Sequence, residues 1–219
     1  SSDADVDGVV GLVLDHDQLT VLSEASSEVF VYQTGGDLYF PLREIPGAFT
    51  QKGAHTKYGA VKFDNTYMFI GGGPNELTAI WRQATSSQAV KVSTDAIDHA
   101  IQQFTKEEIA EAFTMTFAKN GQFFAVFTFN SARIPGKTFV YNGTASGLSG
   151  TPIWSELQTG MTDAPWRVNT IIKAYGKLLC GDSLDGRIGL ISDDVYTEYG
   201  NAVLREATLK PMEQGGKAI

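Results

Sequence analysis

FTMTFAKNGQFFAVF, residues 113–127, decides the fold class. Phe113-Thr114-Met115-Thr116-Phe117 reads as an apolar strand, Asn120-Gly121 as a turn, and Phe123-Phe124-Ala125-Val126-Phe127 as a second, almost uninterrupted apolar strand. Asn-Gly favours a tight hairpin because both residues tolerate positive φ. A strand that is apolar without alternation is one covered on both faces. Phe139-Val140-Tyr141 supplies a third strand.

The same order of strand, polar turn, strongly apolar strand and third strand occurs three more times. Upstream it runs Val9–Val13, turn Asp15-His16-Asp17, Leu19–Leu22, then Val29–Tyr32. It recurs as Gly59–Phe63, turn Asp64-Asn65, Tyr67–Ile70, then Leu77–Trp81. Downstream it runs Val168–Ile172, turn Tyr175-Gly176-Lys177, Leu178–Cys180, then Ile188–Ile191. Turns that recur about every 50 residues are the mark of propeller blades. A fourth, more polar strand per blade is expected from Gly36–Leu42, Ala89–Val92, Trp154–Leu157 and Tyr196–Leu204. The chain is therefore expected to be all-β: propeller-like, with three- to four-stranded antiparallel blades.

One segment, 94–113, departs from this pattern. Ile97, Ile101 and Phe104 lie at helical spacing, and Thr105-Lys106-Glu107-Glu108 reads as a capping box that opens a second short helix through Ala112. A helical insertion on the propeller rim is expected. Residues 1–219 are expected to form a single propeller-like domain belonging to a longer chain, since four blades are few for a closed ring.

Composition limits the function classes. The 219 residues carry 17 Lys and Arg against 25 Asp and Glu, a net charge of −8, with 23 Gly and one Cys. Extended binding to a phosphate backbone needs clustered cations and is disfavoured. A lone Cys180 forms no internal disulfide and no cysteine-based zinc site. There is no apolar run long enough for a membrane helix and no signal peptide at Ser1–Asp5, so an acidic, intracellularly made β protein is expected.

No residue is expected to be catalytic or to bind a cofactor or metal. Asp3-Ala4-Asp5-Val6-Asp7-Gly8 opens like a calcium loop, but Leu14 stands where an EF-hand needs its closing Glu. Asp182, Asp185, Asp193 and Asp194 form an acidic cluster that could serve glycoside hydrolysis, although Asp is also an ordinary turn residue. Gly71-Gly72-Gly73-Pro74 fails the dinucleotide spacing and reads as a hairpin. His16, His55 and His99 lie in a turn, a polar loop and the polar side of the insert, outside any zinc or hydrolase motif. Cys180 reads as a core residue, and Trp81, Trp154 and Trp166 as packing beside strands rather than sugar platforms.

Several strings in order resemble the phage stabilisation family, the packaged-DNA stabilisation proteins of short-tailed phages. They are Gln51-Lys52-Gly53 with Tyr58, Phe104–Ala110, Phe139-Val140-Tyr141, Trp154 with Leu157, Thr159 and Gly160, Cys180-Gly181-Asp182-Ser183 with Gly186-Arg187-Ile188-Gly189, and Tyr196, Tyr199 and Pro211-Met212. The resemblance covers about Gly8 to Met212. It implies a non-enzymatic β-propeller of the virion tail, made in the host cytoplasm and assembled as a homo-oligomeric ring below the portal. Such a protein closes the portal channel on the packaged DNA and contacts the portal adaptor, tail needle and tailspikes. It carries over no functional residue. A charge of −8 agrees with retention of DNA by protein–protein contacts rather than by phosphate neutralisation. The insert and the Gly143–Pro152 loop are the expected partner surfaces. The alternatives are a sugar-binding or glycoside-hydrolysing propeller and a WD-type scaffold, whose Gly-His and Trp-Asp marks are missing.

Overall fold

The computed structural model describes residues 7–35, 39 and 41–207, and the backbone of 213–214 and 217–218. The first blade contains β1 (Val9–Asp15), β2 (Gln18–Ser23), β3 (Ser27–Tyr32) and β4 (Leu42–Thr50), paired in that order. In the second blade, β5 (Gly53–Ala54) and β6 (Ala60–Phe63) both pair with β7 (Thr66–Gly72), which is followed by β8 (Ala79–Thr85) and β9 (Gln88–Lys91). Helices α1 (Asp95–Ile101) and α2 (Lys106–Ala110) follow.

The third blade contains β10 (Phe113–Lys119), β11 (Gln122–Phe129) and β12 (Lys137–Asn142), then α3 (Gly143–Ser149) and the outer strand β13 (Trp154–Glu156). The fourth contains β14 (Val168–Ala174), β15 (Lys177–Asp182) and β16 (Ile188–Leu190). A two-stranded piece, β17 (Glu213–Gln214) with β18 (Lys217–Ala218), closes the element order.

The first strands run side by side from blade to blade, β1 touching β6, β6 touching β10 and β10 touching β14. The order is that of a propeller, with the sheets stacked face to face around their inner strands. Each first hairpin turns through positive φ: His16-Asp17 at 47° and 60°, Asp64 at 54°, Asn120-Gly121 at 51° and 74°, Tyr175-Gly176 at 52° and 70°. Such turns match the right-handed twist of the strands they join.

Three hydrophobic clusters form the core, one between each pair of neighbouring blades. Val13 and Leu22 of blade 1 meet Tyr67 and Phe69 of blade 2. Met68, Ile70 and Ile80, which point the other way from blade 2, meet Phe127, Phe129, Phe139 and Tyr141 of blade 3. Met115, Val126 and Val140 on the far face of blade 3 meet Val168 and Cys180 of blade 4. Residue alternation in β7 and β11 thus feeds two cores at once, which is why both strands are nearly continuously apolar.

The insertion completes the second of these cores. Ile97, Ile101, Phe104, Ile109 and Ala112 are all buried in it. The insertion thus fills an interface between blades instead of lying on the rim. Thr94 caps α1, and Thr105 with Glu108 forms the full capping box of α2. The second helix ends at Ala110, short of Ala112.

Three further expectations are corrected. The outer strand of blade 1 starts at Leu42 and runs to Thr50, instead of lying at Gly36–Leu42, a stretch only partly within the described residues. The stretch expected as a loop, Gly143–Pro152, contains α3, capped by Asn142 (Oδ1 accepts from Ala145 N, 2.9 Å) and ended by Gly150 at φ 69°. Tyr196–Leu204 adds no strand to blade 4; among the described residues it forms the bridge between Glu198 and Asn201, and Leu204 N donates to Gly160 O at 2.9 Å. Residues 3–6, 211 and 212 of the quoted motifs lie outside the described residues.

Candidate functional site

The acidic cluster separates into two unrelated places. Asp193 accepts from Lys119 Nζ at 2.6 Å and Asn120 Nδ2 at 3.0 Å, which ties the segment after blade 4 to the first hairpin of blade 3. Asp194 has no side-chain cation beside it among the described residues; its amide donates to Ser192 Oγ. Asp182 and Asp185 remain together, but Arg167, which the sequence reading passed over, bridges them, and Arg187, quoted there only within a family string, joins Asp185. The Arg167 guanidinium lies 2.6 Å from Asp182 and 3.1 Å from Asp185, and Arg187 pairs with Asp185. Tyr199 is flanked by both guanidiniums, at 5.0 Å and 4.0 Å from its ring centroid.

This arrangement opposes acid catalysis. A glycosidase needs one carboxyl held protonated by a raised pKa. Arg187 holds the Asp185 carboxyl down at about 2. Burial pushes the Asp182 carboxyl up, but the Leu184 amide and Arg167 outweigh it and leave it below the ordinary range. Both acids are structural anions that clamp the Tyr199 segment to the edge of blade 4.

Of the remaining described candidates, all but His99 make packing or hydrogen-bond contacts within the fold. Asp7, the described member of the acidic leader, accepts from Ala25 N at 2.7 Å and from Ser26 Oγ, closing the turn between β2 and β3. His16 bridges Asp15 and Asn65 of the neighbouring blade. The His55 ring shares a hydrogen bond with Thr78 Oγ1 at 2.8 Å, and burial with nearby Lys106 lowers its pKa. His99 is exposed on α1. Trp81 donates to Gly71 O, and its ring lies under Lys52 Nζ at 4.6 Å. Trp154 packs on Phe127 and Tyr141 and donates to Val92 O at 2.9 Å. Trp166 packs against the cluster between blades 3 and 4. Cys180 is buried there too, its thiol pushed up by burial. The three glycines lead from β7 into the β7–β8 hairpin, and a Cβ on Gly71 would fall 1.8 Å from Gly53 O.

A cleft of about 390 Å³ opens at the turn end of the inner strands, where blades 2, 3 and 4 meet. Phe117 and Phe124, stacked at 4.9 Å, floor it together with half-exposed Phe123. Lys62 and Lys173 flank it, and Lys62 is 3.7 Å from Asp15. Asp64 also lines the cleft and Lys62 is shared with Asp15, so Lys173 is the cation left to meet a carboxylate beside an apolar side chain. Nothing in the spacing of the sequence announced it, because its walls come from three blades.

A family model described as bacteriophage P22 Gp10, beta-propeller, matches residues 1–196. The chain belongs to that phage stabilisation family. Tail hub protein gp10 of Salmonella phage P22 is 24% identical over 197 residues, 88% of this chain and 39% of that protein. The chain thus spans about two fifths of the length of this Gp10 relative. A GH43 glycoside hydrolase, engineered to display both endo-xylanase and exo-arabinofuranosidase activity, superposes on 97% of this chain and 46% of its own, with a TM-score of 0.40 and 11% identity.

Three residues of the strings that resembled the Gp10 family make close contacts, two of them between blades and one within blade 4. Gly53 passes so close to blade 1 that a Cβ there would meet Ser23 O at 2.2 Å. The Tyr58 carbonyl accepts from Thr114 N at 2.8 Å, joining blades 2 and 3. A Cβ on Gly189 would come within 2.7 Å of Tyr199 Oη and 2.8 Å of Cys180 Sγ.

Proposed function

We propose that this chain is a structural component of a phage tail that closes the portal channel and so stabilises packaged DNA, with contacts to the portal adaptor, tail needle and tailspikes. The observation that carries the reading is the family match over residues 1–196, joined to a relative named as a tail hub protein. Two physical features support it. Asp182 and Asp185, the acids closest to a hydrolytic pair, are paired with arginines that favour their ionised forms. The net charge of −8 suits a wall that DNA slides past better than one that grips phosphate.

In this reading the chain is one propeller-like unit of a longer polypeptide, carried in the virion as part of a homo-oligomeric ring. Partner contacts fall on the polar side of α1 and α2, on the 143–152 segment and at the cleft beside Lys173. The test uses DNA-filled heads of a phage whose corresponding gene is disrupted, to which the purified full-length protein is added. Restored DNA retention and infectivity are expected. Continued leakage, with folding verified by circular dichroism, would overturn the reading, as would arabinan or fructan turnover that disappears in Asp182→Asn.

A further inference from the structure

The sheets of blades 3 and 4 pack face to face and part at one end. Met115 and Val126, paired across β10 and β11, lie in the same cluster as Ile171 and Cys180, paired across β14 and β15. Two residues nearer the turns, the pairs that share those faces are Phe117–Phe124 and Lys173–Leu178. A lysine ammonium keeps its water, so the apolar seam stops at Lys173 and the cleft of about 390 Å³ opens there. Its walls are thus faces that these two blades turn toward each other, joined by Lys62, Phe63 and Asp64 of blade 2. Phe123, which also lines it, is the only phenylalanine among the described residues that is exposed. The charges around the cleft are met, with one exception. Lys62 lies 3.7 Å from Asp15 and Asp64 lies 3.3 Å from Arg82, whereas Lys173 is exposed and forms no ion pair among the described residues.

We infer that this cleft docks a segment of a partner protein in which an aromatic side chain stands next to an aspartate or glutamate. The aromatic ring lies against Phe117, Phe124 and Phe123, where it removes the most apolar surface from water. The carboxylate takes Lys173, the cleft ammonium whose charge is not already met within the chain. A single exposed ion pair adds little affinity, so the rings supply the binding and Lys173 selects what stands beside the ring. A nucleic-acid phosphate would meet the same ammonium but leave the three phenyl rings wet, and the net charge of −8 opposes it. The inference rests on the tail reading for the partner being another tail protein, and on the cleft alone for the chemistry recognised.

Ligand-observed NMR titrations of the purified full-length protein test it. The probes are acetyl-Phe-Asp-amide, its neutral twin acetyl-Phe-Asn-amide and the ringless acetyl-Ala-Asp-amide. The expected result is roughly millimolar binding of the first, binding of the second weaker by about threefold or more, and none of the third. Lys173→Gln should bring the first probe down to the level of the second, and Phe123→Ala should weaken both. Each variant should keep the near-ultraviolet circular dichroism of the wild type, since both side chains are exposed. Wild-type protein that binds no probe at about 10 mM, or binds the charged and neutral twins alike, would overturn the inference. A preference for charge that survives Lys173→Gln, or ring binding untouched by Phe123→Ala, would overturn it as well. The titrations contain no phage component, so their failure leaves the experiment on DNA-filled heads standing. Failed DNA retention with intact probe binding would instead sink the tail reading alone.

Discussion

Gly189 shows how little room a single position has. A methyl group there meets a phenol oxygen and a buried thiol below 3 Å, so Gly189→Ala should cost about 1–3 kcal/mol, read from the urea midpoint. Gly147, in α3 with nothing within 4 Å of its would-be Cβ, is the control, and Gly147→Ala should be neutral or stabilising by up to about 1 kcal/mol. Asp185 makes a pH prediction. Its carboxyl is held at about 2 in the fold against 3.8 ordinarily, so its stabilising effect is complete above about pH 4 and is lost as pH falls toward 2. In Asp185→Asn, the fall of the urea midpoint over that window should be shallower than in the wild type. The acid cluster was visible in the sequence, and so was Arg187 two positions from Asp185; the pairing of Asp182 was not, because Arg167 stands 15 positions before it and only the β14–β15 hairpin brings them together.

At the scale of elements, the α2 capping box was readable because it is local: Thr105 and Glu108 are three positions apart and satisfy each other's backbone amides. Thr105→Ala should lower stability by about 1 kcal/mol, measured as a fall in Tm. The outer strand of blade 1 was misplaced for an equally physical reason. Pro46 and Gly47 interrupt the segment Leu42–Thr50, and such residues disqualify an inner strand but are tolerated at a sheet edge, here beside a register shift opposite Glu28 and Phe30. In α3, a seven-residue stretch with two glycines has poor helix propensity, and its signals were confined to the ends, Asn142 and Gly150.

For the molecule as a whole, the blades were legible because burial on both faces forces an unbroken apolar run, and such runs stand out at β7 and β11. Blades 1 and 4 are harder to read, since polar residues interrupt their second strands, β2 and β15. Phe127 sits fully buried in the cluster shared by blades 2 and 3 and the helical insertion. Phe127→Ala should therefore cost about 3–5 kcal/mol, a large part of a total stability of about 5–15 kcal/mol, and reduce the soluble yield on expression. The same truncation at exposed Ile172 should leave the unfolding midpoint nearly unchanged.

Because β7 serves two cores, a blade cannot finish folding before its successor exists. Blade 1 ends at Thr50 and blade 2 at Lys91. At ribosomal speeds of about 5–20 residues per second, those 41 residues take about 2–8 s to synthesise, during which the earlier sheet waits with its inner face bare. Each blade repeats that wait, so the nascent chain offers a succession of short-lived apolar surfaces to chaperones. Synonymous codons that slow translation between 51 and 91 should lengthen this exposure and lower the yield of soluble protein without changing a single residue.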